Sequence, residues 1–155
     1  TANDPLDILL VDLPPGTGDV TLSLAQNVKL DGLILVTTPQ DVAVMDADKC
    51  ASAFHKLHVP LIGIIENMSY FVDASGTRSA IFGEGGGLKT AKEFKTELLA
   101  QIPIDLSIRE GGDRGAPIAN KPETPIGKLF QELALKLIQI VDKKQRLAPI
   151  LNVVN

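Results

Sequence analysis

Apolar residues fall into short continuous runs separated by polar stretches containing Gly and Pro. Ile8 to Val11 is such a run, bounded by turn signals, and it predicts a strand buried on both faces of a parallel sheet. Leu33 to Thr38, ended by Pro39, predicts a second strand. Leu61 to Ile65, introduced by Pro60 and ending at Glu66-Asn67, predicts a third. Leu98 to Ile102, stopped by Pro103, is a weaker fourth. Between the runs the spacing becomes helical. Thr21 to Lys29 predicts a short helix with Leu22, Leu24 and Ala25 available to pack, and Asp31-Gly32 a turn after it. Asp41 to His58 predicts a longer helix, with Val42, Met45, Ala53, Phe54 and Leu57 as its apolar face and acids towards its N-terminus, where the dipole favours them. Leu88 to Glu97 predicts another. Thr124 is a good N-cap and Pro125 suits the first helical position. The helix they start runs to about Arg146, with Ile126, Leu129, Phe130, Leu133, Leu137, Ile140 and Val141 at helical spacing. Met68 to Gly87 reads as irregular. Ser107 to Glu123 reads as a surface loop with one turn of helix, and Leu147 to Asn155 as an appended tail.

Strands alternating with helices predict an α/β domain with a mainly parallel sheet and right-handed crossovers. Ligands of such sheets bind at the carboxyl ends of the strands. Asp12, Thr37-Thr38, Asn67 and Pro103 to Asp105 all fall at predicted strand ends, so they are expected to converge on one crevice. Asp12 ends its apolar run and is followed by Pro14-Pro15-Gly16, Gly18 and Asp19. A strand that ends in an acid and opens into a Gly-rich loop suits the second phosphate motif of a nucleoside triphosphatase. The carboxylate holds a magnesium-bound water, and a Gly amide approaches the terminal phosphate unobstructed. A strand-end acid before a turn is the plainer reading; the paired Pro and spaced Gly favour the nucleotide one.

Composition narrows the classes. The 155 residues suffice for one domain with a real core, and at 45% hydrophobic and 22% charged they are ordinary for a globular protein. A net charge of −4 and a pI of about 5.1 argue against nucleic acid as the main partner. Cys50 is the one cysteine, which excludes an intramolecular disulfide or a four-cysteine metal site and fits a reducing, cytoplasmic setting. No apolar run reaches the roughly 18 residues of a membrane span. The chain opens without Met only a few residues before the first run, which predicts a fragment or processed piece. His55 and His58 stand three apart on a helix without a third ligand nearby in sequence, and solvated helix residues are the better account.

Five segments occur in order: Asp12 to Asp19, Thr37 to Ala43, Glu66 to Phe71, Ile81 to Gly87, and Gln101 to Asp105 followed by Ile108-Arg109-Glu110. Together they resemble the Mrp (ApbC-like) family, P-loop ATPases of the MinD/ParA kind that carry iron–sulfur clusters. The resemblance covers residues 5 to 140. It implies a three-layer parallel-sheet P-loop NTPase fold, here lacking the N-terminal P-loop strand. Residues 1–146 would be the C-terminal part of one ATPase domain and 147–155 its tail. It further implies ATP and magnesium as ligands and a homodimer, with iron–sulfur client proteins as partners. Asp12 matches the magnesium-side acid and Gly16 the loop glycine that senses the terminal phosphate, the pair that would carry hydrolysis. Asn67 matches the position that reads adenine, donating through its amide nitrogen and accepting through its oxygen. Pro103, Ile104 and Asp105 match the second wall of the base pocket, contributing mostly backbone. For Thr37-Thr38 both a strand-closing role and a phosphate contact remain open.

Two departures from the pattern change the expectation. The family's P-loop, ending Gly-Lys-Ser/Thr, is absent; by resemblance it lies upstream, on a strand between those of Asp12 and Leu33. Without it the chain alone is expected to have no useful ATP affinity. Gly83 to Thr90 has an opening Gly and a Lys-Thr, but Leu88 stands where the motif needs Gly, so a glycine turn before a helix is the better account. The second departure is that Asp73 and Gly76 occupy the places of the family's Cys-x-x-Cys. Gly76 cannot ligate iron and Asp73 is a hard oxygen donor, so cluster carriage at that site is in doubt. The reading is therefore the C-terminal part of a Mrp-type ATPase. The alternatives are a non-enzymatic module binding through Met68 to Gly87 or Asp105 to Glu123, and a MinD/ParA-like positioning ATPase. The C-terminal helix argues against the latter, with only Lys143, Lys144 and Arg146 as a basic cluster and no anchor-like face.

Overall fold

A computed structural model describes residues 6–14 and 18–147 of the chain. Three parallel strands form its sheet in the order β1-β2-β5: β1 (Leu33–Thr37), β2 (Leu61–Glu66) and β5 (Leu98–Gln101). The pairings run Leu35 to Ile64 and Val36 to Ile65 on one side of β2, and Ile65 to Ala100 and Glu66 to Gln101 on the other. Crossovers pass through α2 (Asp41–Lys56) and α3 (Gly86–Glu93). A two-stranded antiparallel hairpin, β3 (Phe71–Val72) with β4 (Arg78–Ser79), lies between β2 and α3. The chain continues through α4 (Leu106–Asp113), a short 3-10 turn (Ile118–Asn120) and α5 (Pro125–Leu147).

Strand alternation sorts the core into layers. Ile64, wholly buried, joins Leu35 of β1 and packs against Ala47 and Ala51 of α2 and Ala91 of α3. Ile65, one residue on, faces the opposite way with Leu99 and Ile102, and α5 covers it through Leu133, Leu129, Phe130 and Leu137. Helices thus cover both faces of a parallel sheet, giving the expected three layers. A third cluster, Ala25, Phe54 and Val59, seats α1 (Asp19–Asn27) against the C-terminal end of α2.

Several elements differ from the sequence expectation. Ile8 to Val11 forms no strand, and Leu9 and Leu10 are 72% and 75% exposed. A wholly apolar strand orders only between two layers and beside a neighbour. Among the described residues this segment pairs with no strand. The buried stripe of α2 is Val44, Ala47, Ala51 and Phe54, whereas Val42 and Met45 are exposed. Small side chains let the helix approach the sheet, so Ala mattered more than bulk. Phe71-Val72 and Arg78-Ser79 order part of the stretch expected to be irregular. Leu106 to Asp113 makes two helical turns rather than one, because Asp105 caps it by accepting from the Ser107 N–H at 2.8 Å. α5 runs through Leu147, and 148–155 of the expected tail lie outside the described residues.

Candidate functional site

The candidate site is built where β2 ends. The chain turns over Glu66, Asn67, Met68 and Ser69, with Met68 in the left-handed region at φ 53°. Backbone bonds to both neighbouring strands fix this turn. The Asn67 N–H donates to the Thr37 carbonyl at 2.7 Å, the Ile102 N–H to the Glu66 carbonyl at 2.8 Å, and the Ser69 N–H to the Ile102 carbonyl at 2.9 Å. The Ile104 N–H donates to the Tyr70 carbonyl at 2.7 Å. Asn67 and the Pro103 to Asp105 segment, two of the candidate groups, are therefore side by side. Thr37 is joined to Asn67 through its carbonyl.

The Asn67 side chain is half-buried, and its Oδ1 accepts from the Met68 N–H at 2.9 Å. That bond sets the carboxamide's orientation and uses one lone pair of the oxygen. A second lone pair and the Nδ2 donors remain to pair with an adjacent acceptor–donor edge. Asp105 is instead engaged in capping α4. Asp12 is exposed and sits in coil, and Gly16 lies outside the described residues.

Sequence reasoning missed the carboxylate beneath the turn. Glu66 is wholly buried. Its Oε1 accepts from Ser69 Oγ at 2.5 Å and Gln101 Nε2 at 2.8 Å, and its Oε2 accepts from the Gly87 N–H at 2.6 Å. Its signal was faint: an acid ending an apolar strand, with a hydroxyl three residues on. The glycine run serves this packing. A Cβ on Gly86 would lie 2.8 Å from the Pro39 carbonyl oxygen, and one on Gly87 would lie 2.9 Å from Glu66 Cβ. Gly85 is left-handed at φ 75° as α3 begins. The run is thus a glycine turn pressed against β2, as expected in preference to a phosphate loop.

The positions matching the family's cysteine pair form the β3–β4 turn. Asp73 Oδ1 accepts from the Ser75 N–H at 2.8 Å, Ser75 Oγ at 2.6 Å and the Thr77 N–H at 2.9 Å. The Ser75 hydroxyl and the Thr77 amide hold the carboxyl below the usual carboxylate range. Arg78 stacks over the Tyr70 ring at 4.2 Å, bracing the hairpin's base. Cys50 is half-buried in α2 and packs against both clusters beside that helix, and burial raises its thiol pKa. Among the described residues no three His, Cys, Asp or Glu side chains gather as metal ligands, and His55 and His58 are exposed. These residues do not fit a resident iron–sulfur cluster. No helix among the described residues is long and apolar enough to cross a membrane.

A parallel three-layer sheet whose strand ends carry the Asn67 turn and its neighbouring wall has the architecture of a P-loop NTPase. The family model described as ParA, NUBPL iron-transfer P-loop NTPase, matches residues 1–138, and the chain belongs to that family. It is 47% identical over 134 residues to the iron–sulfur cluster carrier protein of Pyrococcus horikoshii, covering 86% of this chain and 45% of that protein. It is 46% identical over 136 residues to the iron–sulfur protein required for NADH dehydrogenase, mitochondrial, of Arabidopsis thaliana, covering 86% and 44%. Among solved structures it is similar to the nucleotide-binding protein of Archaeoglobus fulgidus in complex with ADP, with a TM-score of 0.63, 38% identity, and coverage of 72% of this chain and 46% of that one. The chain spans under half the length of each of these proteins.

Proposed function

We propose that the chain supplies the base-reading and magnesium-side half of the nucleotide site in an ATPase of the iron–sulfur cluster carrier type. The single observation behind this reading is the Asn67 turn, fixed at the strand ends beside Pro103 to Asp105 with one face of its carboxamide unspent. Asn67 reads the adenine edge, its Nδ2 donating to a ring nitrogen and its Oδ1 accepting from the exocyclic amine. Pro103, Ile104 and Asp105 line the base through their backbone. Asp12, an exposed carboxylate, holds the shell of a magnesium ion, whose chemistry when bound is to neutralise charge on the β- and γ-phosphate oxygens. Gly16 senses loss of the terminal phosphate. The phosphate-binding half seats on the open edge of β1, which ends the sheet among the described residues. The relatives' names support iron–sulfur client proteins as partners and a cluster as cargo. The resemblance supports action as a homodimer. No step is assigned to a cluster on this chain, since its described residues offer no ligand set for one.

Asn67→Ala in the whole protein tests the reading. ATP affinity should fall at least about tenfold while GTP affinity changes little, the loss expected when a buried polar contact goes unmade. Equal losses for both nucleotides, measured by calorimetric titration, would remove Asn67 from the base site.

A further inference from the structure

We infer that Glu66 is a positioning residue for base recognition, its buried carboxylate closing the turn that presents Asn67. The inference rests on the base-site reading above. A fully buried carboxylate is costly unless its oxygens are well supplied with donors. Here three groups supply them from three places in the fold. Ser69 Oγ, at the far end of the turn, donates at 2.5 Å. Gln101 Nε2, on the last residue of β5, donates at 2.8 Å and reaches Ser69 Oγ at 3.0 Å. The Gly87 N–H, in the first turn of α3, donates at 2.6 Å.

The Ser69 bond spans the two residues that matter, Asn67 and Met68, and so closes the turn from beneath. Met68 holds a left-handed backbone that a non-glycine residue adopts only under constraint. The same Met68 N–H orients the Asn67 carboxamide. Glu66 therefore acts at one remove. It holds the turn, the turn holds the Met68 amide, and the Met68 amide aims Asn67. The Gln101 bond ties the turn to the strand that leads into Pro103, so both walls of the base site move together.

The test compares ATP and GTP affinities in the whole protein for wild type, Asn67→Ala, Glu66→Ala, Glu66→Gln and Ser69→Ala. The ATP-to-GTP preference of the folded protein is a ratio that a general loss of stability does not move. Glu66→Ala should reduce the preference about tenfold, approaching Asn67→Ala. Glu66→Gln should retain most of it, because Gln101 can turn its amide over and present oxygen to the new amide nitrogen. Ser69→Ala, which removes only the hydroxyl that closes the turn, should reduce the preference about threefold. It carries the test if Glu66→Ala does not fold. A collapsed preference in Asn67→Ala with wild-type preference in Glu66→Ala, or in Ser69→Ala should that variant stand in, overturns the inference alone. An unchanged preference in Asn67→Ala overturns the base-site reading and this inference with it.

Discussion

Single side chains decide how closely the pieces of this site approach. Gly87 bears on the buried carboxylate directly, because an added Cβ would lie 2.9 Å from Glu66 Cβ and 3.2 Å from Glu66 Oε2. Neither neighbour can withdraw without breaking the bonds that hold the buried carboxylate. Gly87→Ala should therefore destabilise the protein by about 1–3 kcal/mol, the range for overpacking a well-filled interior. Urea unfolding checks this, and an unchanged midpoint would show that α3 can shift without cost. At this scale the sequence was unevenly readable. Asn67 could be picked out because a recognisable segment surrounds it. Glu66 could not, because its three donors come from 3, 21 and 35 residues away and only the fold gathers them.

Among the elements, strands and long helices were legible because their periodicity is local. The three paired strands and α5 lie within a residue or two of where apolar runs, Pro stops and caps put them. The faces were less legible. Val42 and Met45 looked like core, yet the sheet accepted Val44, Ala47 and Ala51. Close helix–sheet approach selects small side chains, which carry little hydrophobic signal. The β3–β4 hairpin was hidden for another reason: a single carboxylate, Asp73, organises its turn from polar residues that read as loop. That carboxylate is spent on the turn, and the lone thiol is packed into α2. Anaerobic reconstitution of this chain with iron and sulfide should therefore give little bound cluster. A stable, stoichiometric cluster by iron and sulfide analysis would show that ligands assemble in a way the hairpin does not suggest.

For the whole molecule, the sheet carries its unfinished character on one side. Among the described residues β1 is an edge strand, Val36 on its α5-side face is exposed, and the apolar Ile8 to Val11 segment stands exposed. An alternation of strands and helices announces such a sheet, but strand order depends on residues that need not belong to the same stretch of sequence. This is why the first predicted strand failed while the three-layer architecture held. It also explains why the turn carrying Asn67 and the segment after Ile102 come together: β2 and β5 are neighbours in the sheet though far apart in sequence. The structure of the whole protein with bound ATP and magnesium tests the central claim most directly. The account predicts adenine within hydrogen-bonding distance of Asn67 Nδ2 and Oδ1, flanked by the Pro103 to Asp105 backbone, with the Glu66 network intact beneath. Adenine seated elsewhere, with the Asn67 carboxamide facing water, would contradict it.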